Sequence, residues 1–351
     1  MPATEPGRRA PDLTARLVEA VRGGDAGAVD ALCRAGADPD AVDGHGTPVL
    51  SLAVRAFDDP TAQALVAAYA SPDRTDALGR SPLHLAVELG CSDLFRLFAG
   101  HGAQLWRPDA DGRDALALAR HWHGVDLAAE LRRRSGLAGP VEQRTVRSEA
   151  GVCERLSLGG HAFLTGHATL LTGLEGSYGV PAPAAELLAR ALAAPDLDHV
   201  VWSETTRAVA ERRTPAGHHT GWDFAAALRD RPDPRERYFG AEVLRTVHFS
   251  TEINGYRDGD ADGYRNEDGA GDGDRDGAGA RDGGDNPFDA PLVDLLLPWL
   301  AAEPDRRVVL ALTAGLGAAR DGRAAEPLRA LTRHPDRRVR IAARTGLAGR
   351  G

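Results

Sequence analysis

Apolar positions in the first third of the chain recur on a fixed step. Leu17, Leu50, Leu83 and Leu116 lie 33 residues apart, and Ala20, Ala53, Ala86 and Ala119 keep the same register. Ala37, Ala70 and Ala103 share it, as do two polar marks, Asp43, Asp76, Asp109 and Gly46, Gly79, Gly112. A step held through four units belongs to a repeat whose members bury their apolar faces against one another. The best-formed unit begins Asp76-Ala77-Leu78-Gly79-Arg80-Ser81-Pro82-Leu83-His84-Leu85-Ala86. Its Asp-x-x-Gly turn supplies a residue that tolerates positive φ at no steric cost. Ser81 then reads as a helix N-cap and Pro82 as a first-turn residue whose missing N–H is not needed. Leu83, Leu85 and Ala86 face the neighbouring unit.

From Ala184 a different rhythm takes over. Pro195-Asp196, Pro232-Asp233, Pro304-Asp305 and Pro335-Asp336 each close one Leu/Ala-rich helix and open another. Proline stops the first helix, and aspartate supports the N-terminus of the second. Apolar residues follow eleven places after three of these aspartates, at Leu244, Leu316 and Leu347; in the first unit the register runs from Asp198 to Val201 and Val209. Residues 255–286 are almost wholly Asp, Gly, Arg and Ala, which cannot build an apolar face, so disorder is expected there. Subtracting about 30 residues from the 72-residue gap between Asp233 and Asp305 leaves close to one repeat spacing, which marks an insertion inside the array. Residues 1–10 are expected to be disordered, and 136–180 reads as a Gly-rich connector with amphipathic stretches at Val152–Leu158 and Ala162–Leu174.

The unit at Asp76 resembles the turn and first helix of an ankyrin repeat, whose core is T-P-L-H-x-A on a 33-residue period. The resemblance covers roughly residues 11–135, about four units. It implies that His84 is a structural histidine tying turns together. The first full unit has Pro48 one place early and Ser51 in the histidine position, with Phe57-Asp58-Asp59-Pro60 in place of the mid-repeat glycine. Asp114, Ala115 and Ala117 depart from the pattern in the last. The units Leu13–Ala37 and Asp109–Arg134 accordingly read as caps. Asp336-Arg337-Arg338-Val339-Arg340-Ile341-Ala342-Ala343 resembles the second helix of short bacterial HEAT repeats, and Asp233 through Leu244 resembles it more loosely. Arg237 and Arg340 match that family's ladder arginine. Together the two resemblances imply an all-α solenoid: ankyrin units over 11–135, then HEAT-like helix pairs over 181–351.

Ankyrin arrays bind proteins through hairpin tips and the inner helix face. The family's variable positions fall here on Gly44, His45, Thr47, Arg55 and Ala56 in one unit. They fall on Ala77, Leu78, Arg80, Glu88 and Leu89 in the next, and on Ala110, Asp111, Arg113, His121 and Trp122 in the last. The expected function is therefore a non-catalytic protein-binding scaffold without a cofactor. The alternatives are nucleic-acid contact through Arg306, Arg307, Arg337, Arg338 and Arg340, and an enzyme resembling the HEAT-like bilin lyases.

Bulk composition narrows this reading. The net charge is −9, yet residues 304–351 hold 11 Arg against 4 acids, so the remainder is strongly acidic and a general nucleic-acid or membrane surface is disfavoured. Lysine is absent, so all 42 basic residues are arginine. Cys33, Cys91 and Cys153 are odd in number and far apart, which points to a reducing, cytoplasmic setting rather than a disulfide framework. No apolar run approaches membrane-spanning length. Asp258-x-Asp260-x-Asp262-Gly263 and Asp272-x-Asp274-x-Asp276-Gly277 match the front of a calcium loop. Gly269 and Gly283 stand where its bidentate glutamate belongs, so a solvated acidic tract is the better reading. The neighbours Cys153, His161 and His167 fit no zinc spacing.

Overall fold

The computed structural model describes residues 13–148, 150–213, 219–261 and 286–350. It divides into two compact units, Met1–Ala182 with Ala194–Glu204, and Pro183–Ala193 with Thr205–Gly351.

The first unit opens with four helix pairs: α1 (Leu13–Arg22) and α2 (Ala26–Arg34), α3 (Val49–Ala56) and α4 (Asp59–Ala67), α5 (Pro82–Leu89) and α6 (Ser92–Gly100), α7 (Ala115–His123) and α8 (Leu127–Ser135). Helices α1, α3, α5 and α7 stack side by side as an inner row, and α2, α4 and α6 form an outer one. Leu17, Leu50, Leu83 and Leu116 are buried in a single continuous core, together with the alanines of the same register at 53, 86 and 119.

The helix ends repeat as faithfully as the core. The N–H groups of Ala37, Ala70 and Ala103 reach back to the carbonyls of Leu32, Leu65 and Phe98, each at 3.0, 2.9 and 3.1 Å in turn. This closure requires a left-handed residue just before, and Gly36, Tyr69 and Gly102 occupy it with φ of 95°, 68° and 82°. Tyr69 is thus a non-glycine in a glycine place, and its side chain is 91% exposed, so packing does not offset the strain.

The expected all-α repeat fold is mostly helical as read, but the stretch 136–180, expected as a connector, adds a small three-stranded sheet to it. Strands β1 (Glu142–Ser148), β2 (Gly151–Leu158) and β3 (His161–Leu164) form an antiparallel sheet in that order, with Thr145 opposite Glu154 and Leu156 opposite Phe163. Gly159 and Gly160, both at positive φ, make the two-residue loop between β2 and β3. That loop chemistry favours a hairpin over the helix suggested by Val152–Leu158. The second amphipathic stretch, Ala162–Leu174, begins in β3 and is helical only from His167, in α9 (His167–Ser177).

Helix α9 packs on α7 and α6, and Phe163, Leu170, Leu171 and Leu174 join the core of the repeats. The pair α7/α8 is therefore not the end of the array. Trp122 of α7 is buried there, its ring centre 5.3 Å from that of Phe163 and 6.1 Å from that of His167 at the start of α9. Helix α8 packs against β2 and β3.

The second unit holds α10 (Ala184–Ala193), the end of α11 (Val200–Ala210), α12 (Thr220–Ala227), α13 (Pro234–Ala261), α14 (Asp289–Ala302), α15 (Arg306–Ala318), α16 (Ala325–Leu331) and α17 (Arg337–Ala348). Three pairs, α12/α13, α14/α15 and α16/α17, are joined through a row in which α13 touches α15 and α15 touches α17. Asp305 and Asp336 cap their helices as the Pro-Asp spacing predicts, each accepting from the two N–H groups that follow. Leu244 and Leu316 are fully buried, and Leu347 is half-buried. Of the stretch 255–286, expected to be disordered, residues 255–261 continue α13 to Ala261; residues 262–285, with the rest of the calcium-like motifs, and residues 1–10 lie outside the described residues.

Arg237 and Arg340 occupy equivalent places, four residues after Asp233 and Asp336. Arg237 donates to the carbonyls of Arg231 and Pro232 at 2.8 and 2.9 Å, and Arg340 to those of His334 and Pro335 at 2.9 and 2.7 Å. Arg237 also forks onto the Glu303 carboxylate at 2.9 and 2.8 Å. Only 1% of the Glu303 side chain is exposed, and it accepts further from the Trp299 indole and the Asp305 N–H.

Two stability outcomes follow. Replacing Tyr69 with glycine relieves the left-handed strain and should stabilise the chain by about 1 kcal/mol in urea titration, whereas Gly102→Ala should lose about as much. Arg237→Ala leaves a buried carboxylate without its cation and should cost about 3 kcal/mol in the same measurement.

Candidate functional site

The three turn aspartates build identical hairpins. Asp43 Oδ1 accepts from the N–H of His45 and Thr47, Asp76 Oδ1 from Leu78 and Arg80, and Asp109 Oδ1 from Asp111 and Arg113, all between 2.9 and 3.0 Å. Successive units are also stitched together: Asp40 accepts from Ser71 N–H at 2.7 Å and Asp73 from Gln104 N–H at 3.0 Å. Each hairpin thus holds its tip residues outward at a fixed place beside the inner helices.

His84 fixes the helix that follows. Its Nε2–H donates to the Arg107 carbonyl at 2.8 Å, which leaves Nδ1 to accept from the Ser81 hydroxyl at 2.8 Å and the Ser81 N–H at 3.2 Å. Burial holds its pKa below the ordinary histidine value, so the ring is a neutral strut between units.

A groove of about 500 Å³ lies between the last two hairpins and α8. Its floor comes from α5 and α7 through His84, Glu88, Leu118 and Trp122, and its rim from Leu78, Ala110, Asp111 and His121. Glu130, Arg133 and Arg134 of α8 form its wall. Of the residues read as partner-facing, the groove gathers Leu78, Arg80, Glu88, Asp111, Arg113, His121 and Trp122. His45, Thr47, Arg55 and Ala77 lie elsewhere, with His45, Arg55 and Ala77 exposed and Thr47 half-buried. Leu89 and Trp122 are each 7% exposed: they pack in the core and offer a partner little surface.

The charges inside the groove are matched against one another. Glu88 bridges Arg80 at 3.4 Å and Arg134 at 2.8 Å; Arg80 also pairs with Asp76 at 3.1 Å. Arg113 meets Asp109 at 3.1 Å and Asp111 at 2.6 Å. The Arg134 guanidinium lies 5.1 Å from the Trp122 ring centre and 4.9 Å from that of Phe163, an arrangement that adds cation–π attraction to its ion pairs. On the far side, His167 donates from Nε2 to the Glu88 carbonyl at 3.0 Å, and burial lowers its pKa to about 4. The hydrogen bond from Arg133, with Arg134 beside it, draws the Glu130 pKa down to about 2.

The run Arg132-Arg133-Arg134 does more than favour the negative end of a helix dipole. Arg134 and Phe163 belong to the site, and periodicity in the repeats does not reveal either. The signal available was the Gly159-Gly160 loop, which places Phe163 on a strand. Among the described residues no group of three His, Cys, Asp or Glu is arranged to hold a metal ion, and no helix is long and apolar enough to cross a membrane. Of the arginines in the nucleic-acid alternative, Arg307 pairs with Asp305, Arg306 lies 3.8 Å from Asp336, and Arg340 binds turn carbonyls. Arg337 and Arg338 are exposed.

Residues 17–131 match the family model described as ankyrin repeats (three copies), so this part of the chain carries ankyrin repeats. No curated protein matches the chain.

A pH dependence follows from Glu130. A carboxylate whose pKa falls on folding adds stability that is complete above its unfolded value and lost as the pH drops toward the folded one. Urea midpoints measured from pH 5 downward should therefore fall between about 4.5 and about 2, and Glu130→Gln should flatten that part of the curve.

Proposed function

We propose that the chain is a non-catalytic protein-interaction scaffold that receives a short segment of its partner in the groove between the last two ankyrin hairpins and α8. The supporting observation is that the half-buried Arg80 and Arg134, with Arg113 at the rim, are already neutralised by Glu88, Glu130, Asp76 and Asp109, which makes the cleft pre-formed. A pre-organised site spends little binding free energy on ordering itself. Ankyrin repeats generally mediate protein–protein contact, in keeping with this reading.

Leu78 is 57% exposed, and with Ala110 and Val125 it offers an apolar landing; Asp111, His121 and Arg133 ring it with polar groups that reach solvent. Arg80 and Trp122 support the cleft from within. In this reading residues 183–350 are a HEAT-like array of helix pairs, supported by the Pro-Asp caps and the paired roles of Arg237 and Arg340.

Affinity capture from a native extract, followed by mass spectrometry, tests the groove. The combined variant Leu78→Asp, His121→Ala should lose the captured partner by about tenfold or more while melting like the parent chain, since both side chains face solvent. Undiminished capture by this variant would move the binding site away from the groove.

A further inference from the structure

The last helix pair of the second unit carries an unspent positive charge. Arg329 on α16, Arg333 in the turn, and Arg337, Arg338 and Arg344 on α17 are all exposed, and none has an ion-pair partner among the described residues. The acids nearby are committed elsewhere. Asp305 and Asp336 cap α15 and α17, and Asp321 holds Arg323. Among the described acids of this helix pair, Glu326 is left to oppose five guanidinium groups.

The spacing on α17 places Arg337, Ile341 and Arg344 on one face, about 6 Å and then about 5 Å apart along the axis. Val339, Ala343 and Gly346 are the buried positions of the same helix, so this arginine face is the one turned away from α15 and α16. Ile341 is 50% exposed in the middle of the row. An apolar side chain flanked by free arginines is poorly used in solvent, and it rewards a ligand that brings an apolar group between two carboxylates.

We infer that this face is a docking surface for an acidic peptide segment with an apolar residue at its centre. Charge complementarity selects the acidic partner. Ile341 favours a peptide over a nucleic acid, because a half-exposed apolar side chain in the middle of the row offers nothing to a phosphate backbone. The surface is separate from the ankyrin groove and does not depend on it.

The test uses the full chain and a short fluorescein-labelled peptide in which glutamates flank leucines, read by fluorescence anisotropy at about 50 mM salt, where screening is weak. A labelled DNA duplex of similar length is run alongside. The peptide should bind, weaken as salt rises, and lose roughly fivefold to tenfold in affinity with Arg337→Ala combined with Arg344→Ala. Ile341→Asp should weaken it comparably, and Leu78→Asp in the ankyrin groove should leave it unchanged. Thermal melts establish that these surface variants remain folded. Absence of peptide binding, equal binding by the arginine variant, or tighter binding of the duplex with no response to Ile341→Asp would overturn the inference.

Discussion

The first unit depends on one carboxylate used three times. Asp43, Asp76 and Asp109 each gather two N–H groups into one oxygen, which fixes the hairpin and hands the chain to the next inner helix in the same orientation. Asp43 and Asp109 are nearly buried, and for both of them hydrogen bonds outweigh the cost of burial and keep the pKa below the ordinary aspartate value. Because the turn is built by a side chain on its own backbone, the 33-residue step in sequence becomes a constant step in space. The rim of the groove is a consequence of that step, since Leu78 and Asp111 occupy the same place in successive hairpins.

An array built this way has an end, and the end shapes the site. Helix α7 packs on α9, and its Trp122 ring lies against Phe163 and His167. Helix α8 lies on the small sheet, where Arg134 reaches back to Glu88 and lies over the Trp122 and Phe163 rings. The cleft is therefore made at the junction between a regular repeat and the irregular element that seals it. Its polarity is internal, with arginines and carboxylates satisfied by each other.

The second unit reaches regularity by other means. Aspartate again caps helices, but an arginine four residues on secures the turn by binding carbonyls on the preceding side. At Arg237 the same side chain also neutralises Glu303, joining one helix pair to the next. Arginines without such duties collect at α16 and α17, so structural and surface roles of one residue type are separated by what each guanidinium can reach.

The sequence by itself determined the repeats: their period, buried leucines and alanines, hairpin turns, the strut at His84 and the caps at Asp305 and Asp336. These follow from local chemistry, in which a residue acts on neighbours within a few places or one unit away. The ankyrin resemblance, carried from unit to unit on that period, also pointed to most of the groove: Leu78, Arg80, Glu88, Asp111, Arg113 and His121. Tertiary structure decided what lies outside that range. Trp122 is buried beside Phe163 and His167, far along the chain, and Leu89 is buried in the same core. Residues 151–164 became a hairpin because the Gly159-Gly160 turn outweighed a short amphipathic pattern that fits helix and strand alike. Arg134 found Glu88 across 46 residues, an encounter set by packing and invisible to any period.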